Sequence, residues 1–186
     1  MKNNKTHIIL LFLVCSIGNN VFSQVDTDFH DVSMTLPEVA LLDIEPDNSS
    51  IVLYLSPPLE GGDPVMVASG GTDHSKWLNY TSAITPSGTY RTITAQITSG
   101  AVPSGLELSL QALAYSGSGA GHLGIPTGSI VLSNVAQNII TGIGGAYTGN
   151  GSYQGHELNY SLTLLNHASL DFDQAATIEI TFTITD

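Results

Sequence analysis

From residue 177 to 185 the chain reads TIEITFTIT, and its hydrophobic positions, Ile178, Ile180, Phe182 and Ile184, fall on every second residue. Side chains alternate across a β-strand with period two, so these four share one face while Thr177, Glu179, Thr181, Thr183 and Thr185 share the other. A helix would scatter the same isoleucines around its circumference. Spacing and β-branched composition together predict a strand with one buried and one wet face, as in antiparallel sheets.

The alternation recurs at Leu106, Leu108, Leu110, Ala112 and Ala114, at Leu158, Tyr160, Leu162 and Leu164, and at Ile93, Ala95 and Ile97. Shorter strands are predicted over 30–36, 39–45, 50–55, 65–69, 76–84, 129–133 and 136–141. Turn signals separate them: Pro57-Pro58, Gly61-Gly62-Asp63-Pro64, Gly70-Gly71, Pro86-Ser87-Gly88 and Pro103-Ser104-Gly105. No window sets apolar residues at helical spacing over three turns. About ten short strands with regular turns predict an all-β fold, an antiparallel β-sandwich of the immunoglobulin-like or jelly-roll kind. Residues 117–155 hold eleven glycines and no acid, which predicts long loops at one end of that sandwich, around the strands at 129–141.

The first residues follow a different grammar. Lys2 and Lys5 precede an apolar run at 8–18, which is shorter than the ~20 residues a membrane span needs. Val21 and Ser23 then occupy the −3 and −1 positions before Gln24. This predicts a secretory signal peptide over 1–23 and a single β-sandwich domain over 24–186. The protein is expected to be exported, to the periplasm, the cell surface or the extracellular space, with no membrane span after signal removal. The chain's one cysteine, Cys15, lies in the apolar run, preceded by Val14 where a lipoprotein signal wants a small residue. The mature chain is therefore expected to lack thiols, which excludes a disulfide scaffold, a thiolate zinc site and a cysteine nucleophile.

Charge narrows the partners. After the first seven residues only Lys76 and Arg91 oppose all 16 acids, and ten of those acids lie between Asp26 and Asp73. Without a basic patch to displace counterions from phosphates, nucleic acid is excluded as a partner.

Catalytic constellations are scarce. Gly119, Gly121 and Gly124 match G-x-G-x-x-G, but Pro126 follows and no helix N-terminus is available to hold a pyrophosphate, so a loop is the expectation. There is no G-x-S-x-G elbow, and Lys76 has Asp73 rather than a serine three positions before it. His74, His122, His156 and His167 are not paired by spacing with an activated serine, and no pair of carboxylates is placed for glycoside hydrolysis. A non-enzymatic protein without cofactors is expected. For metals, Ca2+ is the reasonable ion, because Asp26, Asp28 and Asp31 form D-x-D-x-x-D and Asp171 and Asp173 form D-x-D. Both lack the glycine and terminal glutamate of an EF-hand, and a solvated acidic segment that keeps the protein soluble is the plainer expectation. For a glycan, the stretch GGAYTGNGSYQGHELNY offers Tyr147, Tyr153 and His156 beside Asn150, with Trp77 as a further aromatic; the plain alternative is that these rings plug the end of the sandwich.

Behind a signal ending VFSQ, the chain sets a strand-forming N-terminal stretch, the segment LSPPLEGGDPV, a central GAVPSGLELSLQA and a terminal AATIEITFTITD. This order resembles small secreted subunits of the fimbrial or pilin-like kind, in exported proteins of the Bacteroidetes type. The resemblance implies a structural or adhesive role at the bacterial surface, with copies of itself or other surface subunits as partners. Such subunits complete an open sandwich with an extended segment from a neighbour. Val32, Met34 and Leu36 are the candidates for that assembly strand, with Ala40, Leu42 and Ile44 continuing in phase. The plainer expectation is that the same residues form the first strand or two of the subunit's own sheet. A carbohydrate-binding β-sandwich module is the alternative function.

Overall fold

The structure, a computed structural model, describes residues 26–67, 71–171 and 176–185. The predicted signal peptide lies outside the described residues, as does Asp173. The fold is all-β and antiparallel, with a 3-10 turn at His167–Ser169. In chain order the strands are β1 (Val39–Glu45), β2 (Leu55–Ser56), β3 (Met66–Val67), β4 (Thr72–Ala83), β5 (Arg91–Ser99), β6 (Leu106–Ala112), β7 (Ala120–Pro126), β8 (Ile130–Val131), β9 (Gln137–Tyr147), β10 (His156–Leu164) and β11 (Glu179–Thr185).

Nine strands share one continuous hydrogen-bonded sheet, and β2 and β3 make a separate pair. The pairing folds that sheet into two layers. One layer runs β1-β4-β10-β6-β8 and the other β7-β9-β5-β11. They join at a corner where β4 exchanges one partner for another: Thr72–Leu78 pairs with β10, and Thr81 and Ser82 pair with Tyr147 and Ala146 of β9. Strands that switch layers through bends are the usual device for such corners. Between the layers lie Leu78, Tyr80, Leu108, Leu110, Leu158 and Tyr160 from one side and Ile93, Ala95, Ile97, Ile139, Ile140 and Ile143 from the other. Apart from the adjacent pair Ile139 and Ile140, these residues alternate along their strands and pack face to face.

Three expectations need correction. Residues 30–36 form no strand, and each residue from 26 to 38 is exposed. Residues 26–35 belong to a unit distinct from the one that begins at Leu36. Alternation alone cannot build a strand where the backbone has no ladder partner. Second, the predicted strand at 50–55 pairs only at Leu55 and Ser56, although Ile51 and Leu53 still pack on the core. Third, the glycine-rich region is not simply loop. Residues 120–126 form β7 along β9, and the register slips between Gly121 and Leu123. Gly121 has φ +99°, and a Cβ there would meet the Gly145 carbonyl at 2.1 Å. Glycine thus allows a bulged strand to approach its neighbour closely, which a composition reading registers as a loop.

Candidate functional site

A cleft of about 710 Å³ opens at one end of the sandwich. Leu106 and Leu108 of β6, Tyr160 and Leu162 of β10, and Ile178 and Ile180 at the start of β11 form its inner walls. The third side is the chain from Ile51 to Leu55, whose alternation turns Ile51 and Leu53 inward and leaves Val52 and Tyr54 at the rim, exposed. Because residues 51–54 form no strand, the core is roofed here by side chains and not by a paired strand. The hydrophobic row of β11 shows the result: Ile178, Ile180, Phe182 and Ile184 pack against the core but stay only partly buried.

A buried cation holds the roof. Lys76, itself buried, donates from Nζ to the carbonyl and Oδ1 of Asp47, each at 2.8 Å, and to Ser49 Oγ at 3.0 Å. The hydrogen bond from Lys76, with further bonds from Ser49, holds the Asp47 carboxyl well below the ordinary 3.8. Arg91, also buried, forms a second clamp. Its guanidinium donates to Glu38 Oε1 at 2.5 Å and to the Val39 carbonyl, which ties the start of β1 to β5. Both described cations are therefore internal and paired.

Polar groups in the cleft are few: Ser104, Asp171 and the tyrosines 54 and 160. Burial, followed by the charge of Asp73, pushes the Tyr160 phenol well above its ordinary 10.0, so the hydroxyl stays neutral. The chemistry such walls offer is the reception of apolar side chains.

The outer face of β4 carries a second feature. The chain from Thr148 to Gly155 folds over it. Thr148 is fully buried and exchanges hydrogen bonds with Tyr80, receiving one from the Tyr80 N–H on its Oγ1 at 2.9 Å and donating its own N–H to the Tyr80 carbonyl at 3.0 Å. Asn79 Nδ2 donates to the Gly151 carbonyl at 3.1 Å. The Tyr153 ring lies with its centroid 4.6 Å from that of Trp77. Trp77 is consequently buried.

His156 is buried completely at the start of β10. Its Nδ1 lies 2.8 Å from the Leu113 carbonyl, which can only accept, so Nδ1 bears the proton in the neutral ring. Nε2 faces the Tyr80 hydroxyl at 3.2 Å, the Tyr80 ring stacks on the imidazole, and the Tyr115 ring meets its edge. Burial pushes the His156 pKa below 6.5, against the opposing pull of the Leu113 and Leu123 carbonyls.

Of the four glycan candidates, then, Trp77 and His156 are internal, Tyr153 is 73% exposed but engaged with Trp77, and Tyr147 is 51% exposed. Tyr147 instead borders a trough with Leu41, Asp43, Thr81 and Asn150, over a floor that includes Asn79. Asp43 and Thr81 were invisible as site residues in the sequence, because only the register that sets Leu41 opposite Thr81, and Thr81 opposite Tyr147, brings them together. The Ca2+ candidates Asp26, Asp28 and Asp31 are exposed. Among the described residues, no group of three or more acids, histidines or cysteines is arranged to hold a metal. No helix among them is long and apolar enough to cross a membrane.

No family model matches the chain, and no curated protein or solved structure matches it either.

Proposed function

We propose that this is an exported, non-enzymatic structural or adhesive protein of the bacterial surface, a fimbrial or pilin-like subunit that joins its neighbours by receiving an extended apolar segment in the cleft between its layers. The observation that carries this reading is the cleft itself: about 710 Å³, apolar, and edged by core residues of β11 that their own fold covers only in part. Covering those residues with apolar side chains from another chain removes more hydrocarbon from water, at roughly 25 cal/mol per Å².

A suitable segment exists in the same chain. Val32, Met34 and Leu36 alternate, belong to no strand, and are 67%, 85% and 93% exposed. In extended form five residues span about 17 Å, with all three side chains on one face. Supplied by a second copy, or by another surface subunit of similar pattern, they would present a ready row of knobs to the cleft.

The reading is tested by light scattering on the mature chain across a concentration series. Concentration-dependent oligomers are expected, lost in the Val32→Asp/Met34→Asp double variant and also in Val52→Asp at the exposed cleft rim. A monomer at every concentration, or oligomers indifferent to both changes, would overturn it.

A further inference from the structure

We propose that the trough on the outer face of β1 and β4 is a binding site for a neutral saccharide, with the Tyr147 ring as the stacking platform and Asp43, Thr81 and Asn150 as the hydroxyl-reading groups. The proposal is independent of the cleft and of assembly through it.

The architecture puts one exposed aromatic ring beside three polar side chains of different kinds. Thr81 stands between its ladder partners Leu41 and Tyr147, and Asp43 stands opposite Asn79. The trough measures about 500 Å³. Its floor is made by Asn79, which is buried and donates to Gly151, and by Tyr80, whose backbone is bonded to the buried Thr148. The floor is thus held before any ligand arrives, which lowers the cost of ordering it on binding.

The polar side chains have bonding capacity to spare. Among the described residues, neither the Thr81 hydroxyl nor the Asn150 amide hydrogen-bonds to the protein, and Asp43 uses one oxygen on the neighbouring Ile44 N–H at 2.9 Å. An amide, a hydroxyl and a carboxylate offer both donors and acceptors, the mixture that vicinal sugar hydroxyls require. A carboxylate accepting a hydroxyl makes the stronger, charge-assisted type of bond. The ring of Tyr147 and the side chain of Leu41, both largely exposed, provide the apolar surface for the C–H face of a pyranose.

Charge selects the class of sugar. Asp43 has no cation beside it in the trough, and Lys76 and Arg91 are both buried and committed to Asp47, Ser49, Glu38 and Val39. An anionic sugar would meet a carboxylate with nothing to neutralise it. A neutral hexose or deoxyhexose meets only hydrogen-bonding partners.

The test is a glycan array probed with the full mature protein, carrying glucose-, galactose-, mannose- and fucose-terminated neutral oligosaccharides alongside sialylated and uronic-acid ones. A neutral ligand found there is then titrated calorimetrically. Binding to one or more neutral glycans is expected, weakened tenfold or more in Tyr147→Ala and in Asp43→Asn, and unchanged in Tyr90→Ala, which removes an exposed ring elsewhere. Circular dichroism checks that the variants are folded; Tyr147→Phe, which keeps the ring, should bind within a few-fold of wild type. Absence of binding to any neutral glycan, preference for the acidic ones, or binding that survives both Tyr147→Ala and Asp43→Asn would overturn the proposal.

Discussion

Lys76 Nζ reaches both the carboxylate and the backbone carbonyl of Asp47, 29 residues before it, at 2.8 Å. The bond runs from the core-facing side of β4, where Lys76 lies opposite Leu158, to the chain that leads into the cleft roof, so one buried ammonium anchors a segment with no ladder of its own. Replacing Lys76 with Met should lower the melting temperature and loosen residues 46–55, seen as faster amide exchange there than in β4. The acid limb of stability should change as well. The Asp47 carboxyl is held below its ordinary 3.8, so its contribution is complete above that value and is lost as pH falls below it. In Lys76→Met that part of the acid dependence should shrink to what the bonds from Ser49 sustain.

His156 predicts a second pH dependence with its own window. Folding depresses its pKa by burying the ring against Tyr80 and Tyr115, so the unfolded chain binds the proton more readily than the native one. Stability from this residue is intact above about 6.5 and declines as pH falls from there toward the lower folded value. Denaturant melts at several pH values should show a shallower slope below 6.5 in His156→Gln than in wild type. Equal slopes would mean the buried imidazole is not the group responsible.

Gly155 cannot carry a side chain. It sits at φ +84°, and a Cβ would lie 2.2 Å from the Leu78 carbonyl and 2.7 Å from Asn79 Oδ1. Gly155→Ala should therefore destabilise the protein by on the order of 2 kcal/mol or more, measured by urea unfolding, since it combines left-handed backbone strain with a backbone clash. Gly151, also at positive φ but with open space around it, should lose less on the same substitution.

The uneven covering of the core gives a contrast between two isoleucines. Ile140 is fully buried between the layers, whereas Ile180 on β11 is only partly so. Ile140→Ala should cost about 2–5 kcal/mol, the range for emptying a sealed core position. Ile180→Ala should cost distinctly less in the isolated subunit, because water already reaches part of its surface. Equal losses would mean that β11 is as well sealed as β9.

Much of this fold was legible in the alternation. The inward rows of β5, β6, β10 and β11 and the whole of β1 follow from it, because period two assigns side chains to faces wherever a ladder exists. Three kinds of information lie beyond that pattern. It does not say whether a ladder partner is present, and so residues 30–36 read like β1 yet pair with nothing. It fails at bulges: Ile139 and Ile140 are adjacent and both fully buried, in a β9 whose register against β5 slips twice. It also treats the outer face as wet by default. Trp77 and Asn79 are on that face and are nevertheless buried, because residues 148–155 fold back over them. The trough around Tyr147 was half visible for the same reason. An aromatic ring among glycines can be read from sequence, but its neighbours come from β1 and β4, more than sixty residues away in the chain.

Sealing Lys76 and Arg91 inside leaves the described exterior with acids and no opposing ammonium or guanidinium. Two such bodies approaching in dilute buffer repel one another, and only dissolved ions can soften that repulsion; the Debye length shrinks from about 30 Å at 0.01 M to about 8 Å at 0.15 M. Self-association of this chain should therefore strengthen with added sodium chloride, the reverse of a complex held by ion pairs, so a crowded saline milieu favours its gathering and fresh water its dispersal.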